Sequence, residues 1–288
     1  MNTLPILIRR ELWEHRALWI VPLVVAALIV IAAMFPHASI HFDRSDITSH
    51  KQGAMFALFH SALTIPQFLV LSILVPFYLL DCLYAERKDR SILFWKALPV
   101  SDALTVLSKF MVALAIVPLG VYVLTILTDV AASGIIAVRF RQSDIPRSLL
   151  GWDTAIWLRT QAVILSALVL AMLWYAPLAA YLLLVSAWAK RNVILWATMP
   201  PLVAIILEKI AFGTTYVAII LGYRLNGIWG TLDLQNRLSG DTHAVRGPVT
   251  ATMGPLRVLE NPDLWLGLLL TVVLVWGTIR IRRHQDDT

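Results

Sequence analysis

The feature that most constrains this chain is a series of six apolar runs with few or no charged residues. They cover residues 18–35, 62–80, 103–127, 162–187, 193–221 and 264–279. A transmembrane helix needs about 20 apolar residues, because it rises about 1.5 Å per residue across about 30 Å of hydrocarbon. The last run has only sixteen residues, so it needs its flanks or a thin bilayer. The pattern predicts an all-α polytopic membrane protein with six transmembrane helices.

The composition supports this prediction. Of the 288 residues, 59% are hydrophobic and 15% charged, which leaves too little polar surface for a soluble fold of this size. The net charge of +6 raises the question of nucleic acid. Basic residues at helix ends anchor membrane proteins to lipid head groups, so we expect membrane lipid as a partner and no nucleic acid. Cys82 is the single cysteine, so no intrachain disulfide can form.

The loops between the runs set the expected orientation. Lys and Arg are roughly twice as dense on the side that holds both termini, which the positive-inside rule places in the cytosol. On the other side, acidic loop residues such as Asp129 nearly balance the basic ones. The first run is too long for a signal sequence, so we expect a retained helix. No repeat divides the chain, which predicts one transmembrane domain over residues 1–288 in a cell membrane, with a bacterial inner membrane favoured.

The N-terminal segment, residues 1–17, has the composition of a short helix that lies in the membrane interface. Pro5 falls near the first turn, and polar residues alternate with apolar ones without a strong amphipathic pattern. A simple charged anchor for the first span is the alternative interpretation.

The loop at residues 84–102, between the second and third runs, carries an unusual density of charged and aromatic residues for its length. Pro99 then marks a turn, and Ser101 is a predicted N-cap for the next helix. Charged residues beside aromatic ones favour a docking surface for a cytosolic partner, although an interfacial aromatic belt also fits. The residues concerned are Glu86, Arg87, Lys88, Asp89, Arg90, Ile92, Phe94, Trp95 and Lys96.

The order of these elements resembles the membrane subunits of type 2 ABC transporters, the exporter permeases. The resemblance rests on the Glu86-Arg87 pair after the second span, a short helix, the sequence Leu98-Pro99-Val100-Ser101, and Lys109 in the next span. It extends in outline to the N-terminal helix, the six spans and a long external segment before the last span.

The resemblance implies a coupling helix over residues 86–96 that transmits movement from a separate ATPase subunit. It also implies two copies of this chain with two ATPases. The sequence has no Gly-x-x-x-x-Gly-Lys-Ser/Thr motif, so we expect ATP and Mg to bind the partner, no cofactor in this chain and no enzymatic activity of its own.

Glu208 and Lys209 interrupt the fifth run, where isolated charges cost several kcal/mol. They predict either a polar spot on a translocation path or subunit interface, or an ion pair that fixes helix packing. The external segment 222–263 is rich in Gly and Pro and predicts loops with one or two short helices. His37 and His41, with Asp43, His50 and His60 nearby, form too weak a pattern to predict a metal site.

Two other functions stay open. A membrane scaffold or sensor would share the topology, and co-purification without an ATPase would favour it. An intramembrane enzyme would need reactive groups within the spans, but neither His-Glu-x-x-His nor Gly-x-Ser-x-Gly occurs. The function favoured by the sequence is the transmembrane subunit of an ATP-driven exporter, with an unspecified substrate.

Overall fold

The computed structural model of the chain describes residues 3–35, 49–89, 101–139, 154–232 and 258–284. Within these ranges the regular structure is helical and no strand occurs. Six of the helices there are long and apolar enough to cross a membrane. The predicted all-α polytopic membrane fold is therefore confirmed.

The helices follow one another along the chain with short turns between several of them. They are α1 (Thr3–Glu14), α2 (Ala17–Met34), α3 (Ser49–Lys88), α4 (Asp102–Met111), a π-helical segment (Val112–Ile116), α5 (Val117–Arg139), α6 (Thr154–Trp188), α7 (Val193–Phe212), α8 (Tyr216–Leu232) and α9 (Pro262–His284). The candidate spans are α2, α3, α4 with α5, α6, α7 and α9.

The sixth span is longer than its apolar run. Helix α9 has 23 residues because it begins at Pro262, a favoured first helical position, and continues through Arg282, Arg283 and His284. At about 1.5 Å per residue it reaches about 34 Å, so the short apolar run needs no thin bilayer.

The prediction of one fifth span over residues 193–221 is wrong in its extent. Helix α7 ends at Phe212, and Gly213 follows it with a φ of 66°, a left-handed conformation that glycine adopts without a Cβ clash. After a two-residue connection a second helix, α8, begins at Tyr216. The apolar run conceals this break because hydropathy does not register backbone conformation.

Three helices continue well past their apolar runs. Helices α3, α5 and α6 contain 40, 23 and 35 residues. Asp129, which the sequence placed in an external loop, lies inside α5 and is completely buried. The assignment of Asp129 to a solvated loop is therefore wrong, because the helix continues to Arg139.

The centre of the bundle is formed where α3 packs against α6. Helix α6 presents small buried residues to its neighbours, namely Ala176, Ala179, Ala180 and Ala187. Small side chains allow membrane helices to approach closely, so van der Waals packing holds the bundle together. Leu79 and Leu183 are almost completely buried in the same apolar cluster.

The N-terminal helix is shorter than predicted, because α1 ends at Glu14 and a turn at His15 and Arg16 leads directly into α2. The predicted N-cap at Ser101 is confirmed, since its hydroxyl accepts a hydrogen bond from Leu104 N at 3.3 Å. Residues 90–100, most of the predicted coupling helix, and 233–257, most of the external segment, lie outside the described residues.

Candidate functional site

Six charged side chains meet at one end of the bundle, which we call the base. At the base α1 lies against the bundle, α3 and α9 end, and α4 begins. The six residues form an ionic cluster that consists of Arg10, Glu11, Glu86, Asp102, Lys109 and Arg282. Because they come from four helices, the cluster joins parts of the chain that are distant in sequence.

Lys109 is the central cation of the ionic cluster. Its Nζ lies 2.8 Å from Glu11 Oε1, 2.9 Å from Glu11 Oε2 and 3.0 Å from Glu86 Oε1. Both Lys109 and Glu11 are completely buried. Tyr78 adds a hydrogen bond from its hydroxyl to Glu11 Oε2 at 3.1 Å. The buried ammonium group therefore directs its three N–H groups to carboxylate oxygens.

Glu86 connects the remaining helices. Its Oε2 accepts a hydrogen bond from Arg282 Nη1 at 2.7 Å, and its Oε1 accepts one from Arg10 Nη2 at 2.8 Å. Arg282 also donates from Nε to Asp102 Oδ1 at 3.1 Å. The last turns of α3 and α9, the first turn of α4 and the N-terminal helix α1 thus share one set of charge-assisted bonds.

The ionic cluster is balanced in charge, with three cations and three carboxylates. Burying a charge costs several kcal/mol unless partners satisfy it, so loss of any one member leaves the others uncompensated. We infer that the cluster fixes how α1, α3, α4 and α9 are placed relative to one another. The π-helical segment, which begins three residues after Lys109, is of a kind that often occurs at functional sites.

Two residues of the predicted docking surface in the loop at 84–102 make contacts within the chain. Glu86 is only 6% exposed and is occupied by the ionic cluster. Arg87 donates from Nη2 to the backbone oxygens of Ser186 and Ala189, at 2.6 and 2.7 Å, and so binds the end of α6. Glu86 is therefore buried in the bundle and Arg87 is half-buried against α6, so neither side chain is fully free for a partner, and the coupling role of both stays a prediction.

The other residues of the predicted coupling segment are either exposed or lie outside the described residues. Lys88 and Asp89 are exposed at the end of α3. Arg90, Ile92, Phe94, Trp95 and Lys96 lie outside the described residues. The transmission of movement through residues 86–96 stays a prediction.

A groove of about 1070 Å³ opens beside the ionic cluster, between the α1–α2 turn, α3 and α7. Its floor is apolar, with Leu18, Phe77 and Ile194, whereas Glu14 and Asp81 supply acidic groups. Burial raises the pKa of the Glu14 carboxyl group. The groove thus offers an apolar surface next to polar groups, which is the chemistry that an amphipathic molecule needs.

Three possible metal ligands lie close together beside the groove. Glu11, Glu14 and His15 place possible ligand atoms within 4.8 Å of one another. Lys109 and Tyr78 already bind both oxygens of Glu11. Because the Glu11 carboxylate is already bound within the ionic cluster, these three residues do not fit a metal ion.

Glu208 and Lys209 do not form a pair. Glu208 accepts hydrogen bonds from Thr214 Oγ1 at 2.7 Å, Tyr216 N at 2.6 Å and Val217 N at 2.8 Å. It therefore caps the N-terminus of α8, where free backbone N–H groups favour a carboxylate. Lys209 is exposed. The two neighbours therefore do not pair with each other, whereas a role on a polar path or in an ion pair that fixes helix packing stays a prediction.

The histidine-rich region gives one defined contact. His60 Nδ1 lies 2.5 Å from Asp129 Oδ1, and both side chains are buried. His37, His41 and Asp43 lie outside the described residues, as does the side chain of His50.

The sequence singled out Glu86 and Lys109 but not the other four members of the ionic cluster, Arg10, Glu11, Asp102 and Arg282. Arg282 looked like one of several basic residues that set orientation. Glu11 lies one turn after the buried Leu7, and this i, i+4 spacing is the only local signal that it faces inward. The pairing itself joins residues up to 196 positions apart, which no local pattern reveals.

Comparison of the chain with known protein families, with characterised proteins and with solved structures finds no match. The fold and the ionic cluster define the class of protein: a multi-pass, all-helical membrane protein whose helices are tied together at one end by buried charges.

Proposed function

We propose that this chain is the transmembrane subunit of an ATP-driven exporter of the type 2 ABC class. It acts as a homodimer with two copies of a separate ATPase subunit, in a cell membrane, with both termini and the base in the cytosol. ATP and Mg bind the ATPase subunit, and this chain supplies the translocation path.

The observation that carries the proposal is the ionic cluster at the base. It lies where the loop of residues 84–102 leaves α3 and returns to α4, since Glu86 and Asp102 belong to both the loop and the cluster. A displacement of this loop acts on α1 through Glu11 and Arg10, and on α9 through Arg282. Rigid ties between helices are what a partner needs in order to move several spans together.

The groove beside the cluster supports transport of an amphipathic substrate. It lies against α3, the helix that carries Glu86, and against α7, whose first turn follows the end of α6. Movement of α3 changes the shape of the groove, so ATP hydrolysis in the partner is coupled to substrate release.

The exposed charges Lys88 and Asp89 provide the test, because their reversal leaves the ionic cluster intact. The double variant Lys88→Glu/Asp89→Lys is reconstituted in lipid nanodiscs with an ATPase that co-purifies with the unaltered chain. We expect the stimulation of ATP hydrolysis by the reconstituted chain, relative to the ATPase alone, to fall by about tenfold, which corresponds to a typical coupling energy.

The matched control is Lys190→Glu, an exposed charge at the α6–α7 turn at the same end of the bundle. It should leave stimulation within about twofold of the parent. Undiminished stimulation in the Lys88/Asp89 variant would refute the coupling role. Failure of the parent chain to bind any ATPase would refute the exporter assignment and favour a scaffold or sensor.

A further inference from the structure

A second group of buried polar side chains lies between α3, α5 and α6, far from the base. Its centre is Asp129, whose Oδ1 contacts His60 Nδ1 and whose Oδ2 accepts from Trp157 Nε1 at 2.7 Å and Gln161 Nε2 at 3.2 Å. Asp129 follows Lys109 by twenty residues of continuous helix. The two clusters are therefore about 30 Å apart along the bundle.

Polar side chains continue from this pair toward the base in a line that we call the polar seam. On α3 it contains His60, Thr64 and Gln67, which share one helix face at positions i, i+4 and i+7. On α5 the matching face carries Tyr122, Thr125 and Asp129. Because α3 and α5 run in opposite directions, Gln67 and Tyr122 lie at a similar level, about 10 Å below the His60–Asp129 contact.

The side chain of Gln67, the member of the polar seam nearest the base on α3, has no hydrogen-bond partner within the described residues. Gln67 is completely buried, and within the described residues neither its Nε2 nor its Oε1 makes a hydrogen bond. Gln161 Oε1 is also buried and unpaired there. A buried amide without partners costs on the order of a few kcal/mol, and native proteins rarely tolerate it. Buried water commonly supplies the partners of such atoms.

The free groups define the chemistry of a molecule that binds beside them. A molecule beside Gln67 must accept a hydrogen bond from its Nε2 and donate to its Oε1, and a molecule beside Gln161 must donate to its Oε1. Thr64 and Thr125 donate to the backbone oxygens of Ser61 and Tyr122, so their hydroxyls offer only lone pairs. Asp129 already has three polar neighbours, so a cation is not required. A small, neutral molecule that both donates and accepts fits these conditions.

We propose that the polar seam is a binding site for a file of water molecules that extends from the His60–Asp129 pair to Gln67. Buried water commonly satisfies such groups with about three hydrogen bonds each. The space between α3, α5 and α6 then contains water from that pair to about 10 Å nearer the base. This inference is independent of the proposed function.

Density for the water is the direct test. The full chain in lipid nanodiscs is imaged by cryo-electron microscopy at a resolution that shows ordered solvent. We expect isolated peaks about 2.7–3.2 Å from Gln67 Nε2 and Oε1, with further peaks toward Gln161. A Gln67 amide bonded to protein groups on both sides, with no peak beside it, would overturn the proposal.

Hydroxyl-radical footprinting gives a second readout, because radiolysis of bound water oxidises side chains that bulk solvent does not reach. Tyr122 is 8% exposed and lies beside the polar seam, whereas Trp174 is completely buried in an apolar cluster. After normalisation for intrinsic reactivity, Tyr122 should be oxidised several-fold faster than Trp174. Equal protection of both would refute the water file.

The variant Gln67→Leu should remove the deepest water sites and lower the oxidation of Tyr122 several-fold. Ser72→Ala is the matched control, since Ser72 lies on the same helix with an exposed hydroxyl bonded to Leu69 O. Unchanged oxidation in Gln67→Leu would contradict the proposal. Should that variant not fold, the cryo-electron microscopy density beside Gln67 in the unaltered chain decides the question.

Discussion

Lys109 carries a completely buried positive charge that depends on its neighbours. A completely buried ammonium group in an apolar bundle is stable only because Glu11 and Glu86 neutralise it, and these carboxylates need Lys109 in return. Cys82 and Val106 pack around the same region without offering polar groups that could replace it. The energetic role of the ionic cluster can therefore be tested at this single position.

Substitution of Lys109 by Met keeps much of the side-chain volume but removes the charge. Glu11 is left buried with one cation fewer, so we expect a loss of about 3–5 kcal/mol of stability, typical of a broken buried pair. A thermal unfolding measurement in detergent should show a fall in Tm of several degrees.

Lys209→Met is the control for this substitution, because Lys209 is exposed. Its Tm should stay close to that of the unaltered chain. Equal Tm values for the two variants would show that the ionic cluster contributes nothing to stability.

At the scale of elements, the connection between α7 and α8 is held by Glu208 and Gly213. Glu208 binds the first N–H groups of α8, and Gly213 turns the chain with its positive φ. Glu208→Ala should therefore loosen the first turn of α8. A thiol introduced by Tyr216→Cys would then react faster with maleimide, whereas Lys209→Ala should leave the rate unchanged.

A reaction rate in Glu208→Ala equal to that of the unaltered background would mean that α8 does not need this cap. The native Cys82 does not disturb the assay, because it is 1% exposed.

Helix α8 also makes contacts through Arg224, near its middle. The guanidinium of Arg224 stacks over Trp174 at 4.7 Å and donates from Nη1 to Asp263 O at 3.1 Å. The indole of Trp174 donates to Arg224 O at 2.8 Å. The guanidinium occupies the space beside Gly267, since a Cβ added there would lie 1.4 Å from Arg224 Nη2. Gly267 therefore leaves room for the Arg224 guanidinium beside α9.

Gly267→Ala should displace the Arg224 guanidinium and lower stability by about 0.5–1.5 kcal/mol, because Arg224 loses its stacking on Trp174 and its hydrogen bond to Asp263. Gly277→Ala on the same helix is the matched control, because its Cβ would lie 3.5 Å from Leu184, an ordinary contact. The Tm of the first variant should fall and that of the second should hold or rise slightly.

The double variant Gly267→Ala/Arg224→Ala completes this comparison. Removal of the guanidinium removes the clash, so the double variant should be no less stable than Arg224→Ala alone. Strictly additive losses would contradict the close approach of Arg224 to Gly267.

Elements and sites differed in how far the sequence predicted them. The six spans and the N-cap at Ser101 followed from apolar length and local capping chemistry, which act within a few residues. The break at Gly213 did not, because its neighbours are as apolar as a continuous span. The contacts of Glu86 with Arg10 and Arg282 depend on tertiary packing, so sequence alone showed the charges without their partners.

For the whole molecule, the base combines two properties that a coupled transporter needs. Buried charges fix α1, α3, α4 and α9 to one another, and exposed charges at Lys88 and Asp89 remain where the loop leaves the bundle. Within the described part of the chain, α2 and α7 also present mostly exposed apolar side chains, which suit lipid or a second copy. The proposed exporter therefore requires a second copy of this chain and an ATPase subunit.

The composition of the native complex tests this requirement most directly. The chain, tagged at its C-terminus, is purified from the membranes of its own organism in a mild detergent and analysed by native mass spectrometry. We predict a complex of two copies with two copies of an ATPase that carries a phosphate-binding loop and hydrolyses ATP. A monomer, or an oligomer without an ATPase, would contradict the account.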